Sequence, residues 1–231
     1  MPNQTIRNEH TDNCKWFPIN NYKKGCLTNA KELIEWPMRG NYIEIMDTTL
    51  REGEQTAGVS FTKSEKLSIF RLLVEELHIP RVEIASARVS TGEFETVKKI
   101  CEWARKSRHL TKIEVLGFID NGLSTDWITE AGGSVINLLC KGSERHCLLQ
   151  LKKSPQEHLN DVKKEITYAA EKGLDVNVYL EDWSNGMKDS PEYITTFIDS
   201  LRTFPIKRFM LPDTLGILNP YDTFDYVKRM V

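Results

Sequence analysis

The chain has 231 residues, 40% of them hydrophobic and 28% charged, with 31 basic and 33 acidic side chains and a formal net charge of -2. That balance fits an ordinary globular protein with one substantial core, and the interspersed charges exclude a nucleic-acid-binding stripe and an acidic tail. No apolar run reaches the roughly 18 residues of a membrane span, and the polar amino terminus lacks the apolar core of a secretory signal. The five cysteines (Cys14, Cys26, Cys101, Cys140, Cys147) are odd in number and free of CxxC spacing. They are expected as free thiols in a reducing cytoplasm.

Residues 1–40 show no periodicity beyond a possible short helix at Ala30–Trp36, ended by Pro37, and are expected to form an extension before a single domain at 41–231. From Asn41 a rhythm sets in. Apolar, β-rich runs occur at Tyr42–Met46, Arg81–Ala85, Lys112–Phe118, Val135–Leu139, Asp175–Leu180 and Lys207–Leu211, with amphipathic segments of helical period between most of them. Thr62-x-x-Glu65, Ser90-x-x-Glu93 and Ser154-Pro-x-Glu157 have the capping-box form, in which hydroxyl and carboxylate satisfy opposite backbone donors. Ser190-Pro191 and Asn219-Pro220 place a cap before a proline whose missing N–H costs nothing at the first helical position. The expected buried stripes are Leu67, Phe70, Val74 and Leu77; then Phe94, Val97, Cys101 and Ala104; then Leu159, Val162, Ile166 and Ala169.

Six strands alternating with helices imply parallel βαβ units with right-handed crossovers. Both a doubly wound sheet and a (β/α)8 barrel fit, and periodicity does not separate them; in either, chemistry belongs at the carboxyl ends of the strands. There the first strand runs into Asp47-Thr-Thr-Leu-Arg51-Glu52-Gly-Glu54-Gln55. These polar groups are either a solvated loop, or a guanidinium aimed at a developing oxyanion beside a carboxylate that binds a hard cation. Glu83, inside an apolar strand, needs a partner: Arg51, a metal, or a purely structural salt bridge within the domain. Glu181 follows the run VNVYL, where partial burial would raise its pKa toward that of a general base or acid; an exposed loop carboxylate is the alternative. Asp213-Thr214 ends the sixth strand. None of the five histidines forms an HxH or HExxH pair; His78, His109 and His158 are expected on solvated faces, and none is assigned to a metal.

The segment DTTLREGEQ resembles the signature of the DRE-TIM metallolyases, which include isopropylmalate, homocitrate and citramalate synthases and hydroxymethylglutaryl-CoA lyase. The resemblance runs from about Tyr42 to Val231. EQTAGVSFTKSEKLSI, RVEIASARVSTGEFETVKKI, VYLEDWSNGM and LPDTLGILNP are similar to the bacterial citramalate synthases. It implies a (β/α)8 TIM barrel, incomplete here with about six of its eight units, in a dimeric, cytoplasmic enzyme that binds a divalent cation (Zn, Mn or Mg) and joins acetyl-CoA to a 2-oxo acid, most simply pyruvate. Carried over by motif, Arg51 polarises the oxo group and Glu52 is the acidic metal ligand. Asp47 and Glu83 hold Arg51, Glu181 acts as, or positions, the base that makes the acetyl-CoA enolate, and Gln55 and Thr214 bind substrate, Thr214 through the oxo acid's carboxylate. Leu116, Leu139 and Tyr179 form an apolar wall for its side chain.

Two departures qualify these expectations. Most synthases of this pattern carry RDGEQ, whereas Arg51-Glu52 is the form associated with homocitrate synthases. The family's HxH metal pair belongs to a seventh strand, and this sequence stops at Val231 in the sixth helix, so the 231 residues alone are expected to be inactive. An isopropylmalate or homocitrate synthase, a lyase running toward cleavage, and an inactive remnant serving only as an interaction partner are the alternatives.

Overall fold

The computed structural model describes residues 43–230. The expected extension at 1–40, the short helix at Ala30–Trp36, Cys14, Cys26 and the head of the first strand at Tyr42 lie outside the described residues. Six parallel strands, β1 (Met46–Asp47), β2 (Arg81–Ser86), β3 (Ile113–Phe118), β4 (Val135–Lys141), β5 (Asp175–Glu181) and β6 (Ile206–Met210), pair in the order of the chain. This order decides between the two architectures. A doubly wound sheet reverses direction at a switch point, whereas β1 to β6 never reverse, as in the wall of a barrel. The first strand is shorter than the Tyr42–Met46 expected, and it reaches Asp47.

The sheet curls until its two ends approach each other. Arg208 on β6 pairs with Glu44, just before β1, at 2.5 Å, and Arg81 on β2 donates to the Met210 sulfur on β6 at 3.6 Å. The fold is an incomplete (β/α) barrel.

The helices are α1 (Lys63–Arg71), α2 (Thr91–Lys106), α3 (Leu123–Glu130), α4 (Glu144–Leu149), α5 (Pro155–Glu171), α6 (Trp183–Asp189), α7 (Pro191–Asp199) and α8 (Pro220–Met230). Val82, Ile84, Ile113, Val115, Ile136, Leu138, Val176 and Val178 on the strands are fully buried, together with Val97, Ile100, Ala104, Val162, Ile166 and Ala169 on α2 and α5. Together these make the layer between sheet and helices.

Thr62 and Ser154 form complete capping boxes with Glu65 and Glu157. Ser90 forms only half of one: its hydroxyl accepts from the Glu93 N–H at 3.0 Å, but the Glu93 carboxylate is drawn to Lys66 on α1. Asn219 caps α8 by accepting from Tyr221 and Asp222, whereas Ser190, which ends α6 and starts α7 at once, makes no side-chain cap. The first expected stripe also needs correction. α1 continues into a π turn at Leu72–Glu76, where the Leu77 N–H bonds to the Leu72 carbonyl five residues back. The wider turn rotates the apolar face, so Leu73 is buried and Leu77 is exposed.

Candidate active site

The loop after β1 wraps tightly, with the N–H groups of Arg51, Glu52 and Gly53 all directed to the Thr48 carbonyl. This tight turn delivers Arg51 to Glu83. Glu83 is wholly buried on β2 and takes Arg51 through Nε and Nη2, each at 2.6 Å. The Asn137 amide on β4 donates to the other Glu83 oxygen at 2.7 Å. A guanidinium held on two nitrogens by a fixed carboxylate is set in one orientation. Its third nitrogen, Nη1, faces Glu52. Asp47 does not reach Arg51; it accepts from the Thr49 N–H at 3.0 Å and hydroxyl at 3.1 Å and so shapes the turn instead.

The polar chain continues down the inner face of the sheet. Asn177 on β5 donates to Asn137 at 2.8 Å and approaches Glu114 on β3 at 3.4 Å, and Glu114 takes Arg81 bidentately at 2.5 and 2.9 Å. Barrel interiors are usually packed with branched apolar residues. Here a network of two arginines, two glutamates and two asparagines occupies that position, and Asn177 Oδ1 is left buried without a donor.

At the carboxyl ends of the strands, Leu139 is in register with Phe118 on one side and Tyr179 on the other, and Tyr179 with Met210. Leu116 does not share this row. It is in register with Asn137, one step deeper, so Phe118 takes the place expected of Leu116. Phe118 and Met210 were missed although both stand in the predicted strands, because strand stagger cannot be read without the pairing. Tyr179 lies against Arg51 and Glu83; burial, then the Glu83 charge, raises its hydroxyl above the ordinary range, while Arg51 opposes the shift.

Glu181 ends β5 half-buried and pairs with Lys141, the last residue of β4. Nothing in the sequence singled out Lys141. Thr214 is exposed, and its oxygen accepts from the Asp182 N–H at 2.9 Å. That leaves its O–H free to donate outward, as a bound carboxylate requires. Gln55 is exposed at the end of a 3-10 turn (Gly53–Gln55).

His158 is corrected: it is buried on α5, accepts from the Lys141 N–H at 3.0 Å, and burial pushes its pKa down to about 4. His78 is exposed and His109 half-exposed.

The donors present do not make a divalent-metal site by themselves. Glu52 is exposed and bonded to Arg51, Asp47, Glu83 and Glu181 are committed elsewhere, and among the described residues no three His, Cys, Asp or Glu side chains gather as ligands. Such a site usually takes about three protein ligands.

The model of the HMGL-like family matches residues 42–231. The chain belongs to that family. A 2-isopropylmalate synthase of Saccharolobus solfataricus is 31% identical over 198 residues, covering 85% of this chain and 49% of its own length. A putative (R)-citramalate synthase of Methanopyrus kandleri is 30% identical over 188 residues, covering 81% of this chain and 35% of its own length. The chain thus spans half or less of these relatives. The hydroxymethylglutaryl-CoA lyase structure from Bacillus subtilis superposes with a TM-score of 0.66 at 20% identity, covering 81% of this chain and 63% of its own, which bears on the fold alone. The site just described lies at the carboxyl ends of the strands, where barrels of this kind carry their chemistry.

Proposed function

We propose that the chain carries the catalytic face of a citramalate-forming acyltransferase, with pyruvate as the oxo acid. The observation that supports this most is the Arg51–Glu83–Asn137 arrangement beneath an apolar row of Phe118, Leu139, Tyr179 and Met210. Arg51 binds and polarises the oxo group. Glu181 removes a proton from the acetyl methyl, the carbanion attacks the oxo carbon, and Arg51 stabilises the resulting alkoxide. The alkoxide takes up the proton held by Glu181, and water then cleaves the thioester, giving the carboxylate, free CoA and one proton, which makes the sequence irreversible. Thr214 donates its hydroxyl to the oxo acid's carboxylate, Asp47 keeps the Arg51 turn in shape, and Gln55 stands at the substrate's entry.

Among the described residues Glu52 stands without companion ligands for a divalent ion. Metal dependence enters the proposal as Glu52 plus ligands from outside the described residues, and residues 1–231 by themselves are then inactive. The buried free thiols Cys101, Cys140 and Cys147 suit a reducing cytoplasm, and a homodimer is expected from the resemblance alone.

The test is condensation of acetyl-CoA with pyruvate, followed by free-thiol release, with the chain alone and with the chain joined to the C-terminal half of the Methanopyrus relative. Thiol release that needs the oxo acid, seen only in the joined protein, supports the proposal. Cleavage of citramalyl-CoA in preference to condensation would turn it toward a lyase.

A further inference from the structure

Asp182 directly follows Glu181 and adopts φ +66°, one of the few non-glycine residues in the left-handed region. It is buried, and its carboxylate is fully engaged. Oδ2 accepts the Ser143 hydroxyl at 2.7 Å and lies 3.4 Å from His146 Nε2, and Oδ1 accepts the Asn185 amide at 2.7 Å. Its own N–H goes to Thr214. Three hydrogen bonds and the His146 contact therefore reach the loop after β4, helices α4 and α6, and the loop after β6. Ser143 in turn accepts the His146 N–H at 3.2 Å and starts α4.

The backbones around Asp182 are packed just as closely. The Gly142 N–H donates to the Glu181 carbonyl at 2.6 Å. A Cβ on Gly142 would stand 2.5 Å from the Leu180 carbonyl oxygen, and one on Gly186 only 1.9 Å from that of Gly142. A left-handed residue of this kind is strained and persists where its surroundings over-determine it, as they do here.

We propose that Asp182 is a positioning residue of the barrel mouth: its carboxylate and left-handed backbone lock together the segments that carry Lys141, Glu181 and Thr214. Asp182 touches no reacting atom. Glu181 is held from behind by its carbonyl and by the turn at the next residue, so its carboxylate is aimed at the mouth instead of following a mobile loop. The same N–H that fixes this turn engages the Thr214 oxygen, which leaves the hydroxyl free to donate to another group. The significance of the lock rests on the proposed roles of Glu181 and Thr214, but its existence does not.

Two substitutions separate backbone from side chain. Asp182→Gly removes the carboxylate and tolerates φ +66° without strain. Asp182→Asn tolerates the same backbone and keeps an acceptor for Ser143, while the Asn185 amide can turn over to accept from the new amide. Amide hydrogen exchange is measured on residues 1–231 at Gly142 and Asp182, with Leu138 and Val178 as references in the strand interiors. Asp182→Gly should speed exchange at Gly142 and Asp182 by about tenfold or more and leave the references near wild type, and Asp182→Asn should restore most of the protection. Unchanged exchange in Asp182→Gly would overturn the lock. So would loss of protection at all four amides together, or no recovery in Asp182→Asn, since these mark a general packing role. Because exchange needs no turnover, absence of condensing activity would count against the function and not against this inference.

Discussion

Arg51 is gripped by Glu83 through Nε and Nη2, so what it offers a substrate is one edge of a guanidinium held in a fixed plane. Arg51→Lys keeps the charge and loses that plane; in the joined protein kcat should fall by about 10²–10³, the usual effect of losing an oxyanion donor. Steady-state kinetics showing a change of only a few-fold would remove Arg51 from the chemistry. Glu181→Gln should lower kcat much more than it raises KM for the oxo acid, and an effect confined to KM would remove it as base.

His158 makes a prediction about pH. Its folded pKa, about 4, lies below the ordinary 6.5, so the unfolded chain binds the extra proton first. The stability it contributes is complete above pH 6.5 and is lost as pH falls toward 4, to a limit of roughly 3 kcal/mol at about 1.4 kcal/mol per unit. His158→Gln keeps an acceptor for the Lys141 N–H and should flatten the fall in melting temperature between pH 6.5 and 4. An equally steep fall would show that other groups carry it. The Arg51–Glu83 pair was legible in the sequence because a lone carboxylate in an apolar strand must find a partner. Lys141, Asp182 and buried His158 were not, because the partner or cover of each comes from a segment distant in the sequence.

The helices and the loop after β1 are joined by another buried charge. Lys66 on α1 is almost wholly covered and pairs with Glu54 of the Arg51 loop at 2.6 Å and with Glu93 at the start of α2 at 2.5 Å. Glu54 also accepts the Phe61 N–H at 3.0 Å, which closes the loop on α1. Lys66→Met leaves two carboxylates facing each other without their cation and should destabilise the chain by about 3–5 kcal/mol, measured by urea unfolding. Adding Glu54→Gln and Glu93→Gln to it should recover part of that loss. A single variant as stable as wild type would show that the triad is not buried in solution. Helix starts were readable because their caps are local: Thr62, Ser154 and Asn219 each bond within three residues. The π turn at Leu72–Glu76 has no such local signature, and a lysine inside a helical segment looks solvated until its neighbours are known.

For the molecule as a whole, the alternation of strands and helices was legible from periodicity, whereas the barrel was legible only through the family resemblance, since periodicity carries no information on which strands pair. The curl becomes visible only in long-range contacts such as Arg208–Glu44 and Arg81–Met210. The same packing covers the thiols. Burial pushes Cys101 up to about 12 and raises Cys140 and Cys147, so all three should resist an aromatic disulfide reagent until the chain is unfolded. Rapid native labelling of any of them, located by peptide mapping, would contradict the packing.

The substrate proposal also rests on the whole arrangement, because the apolar row draws on four strands. Phe118, Leu139, Tyr179 and Met210 supply no cation for the distal carboxylate of 2-oxoglutarate, and an unpaired buried charge is prohibitive. Excluding an isopropyl group is a steric matter, where a single methylene is worth about 1–3 kcal/mol. The decisive measurement is kcat/KM for pyruvate, 2-oxobutyrate, 2-oxoisovalerate and 2-oxoglutarate, read by free-CoA release from the joined protein. Pyruvate should come first, 2-oxobutyrate second and 2-oxoisovalerate far behind, with no measurable turnover of 2-oxoglutarate; a higher value for 2-oxoisovalerate or 2-oxoglutarate than for pyruvate would overturn the assignment of the oxo acid.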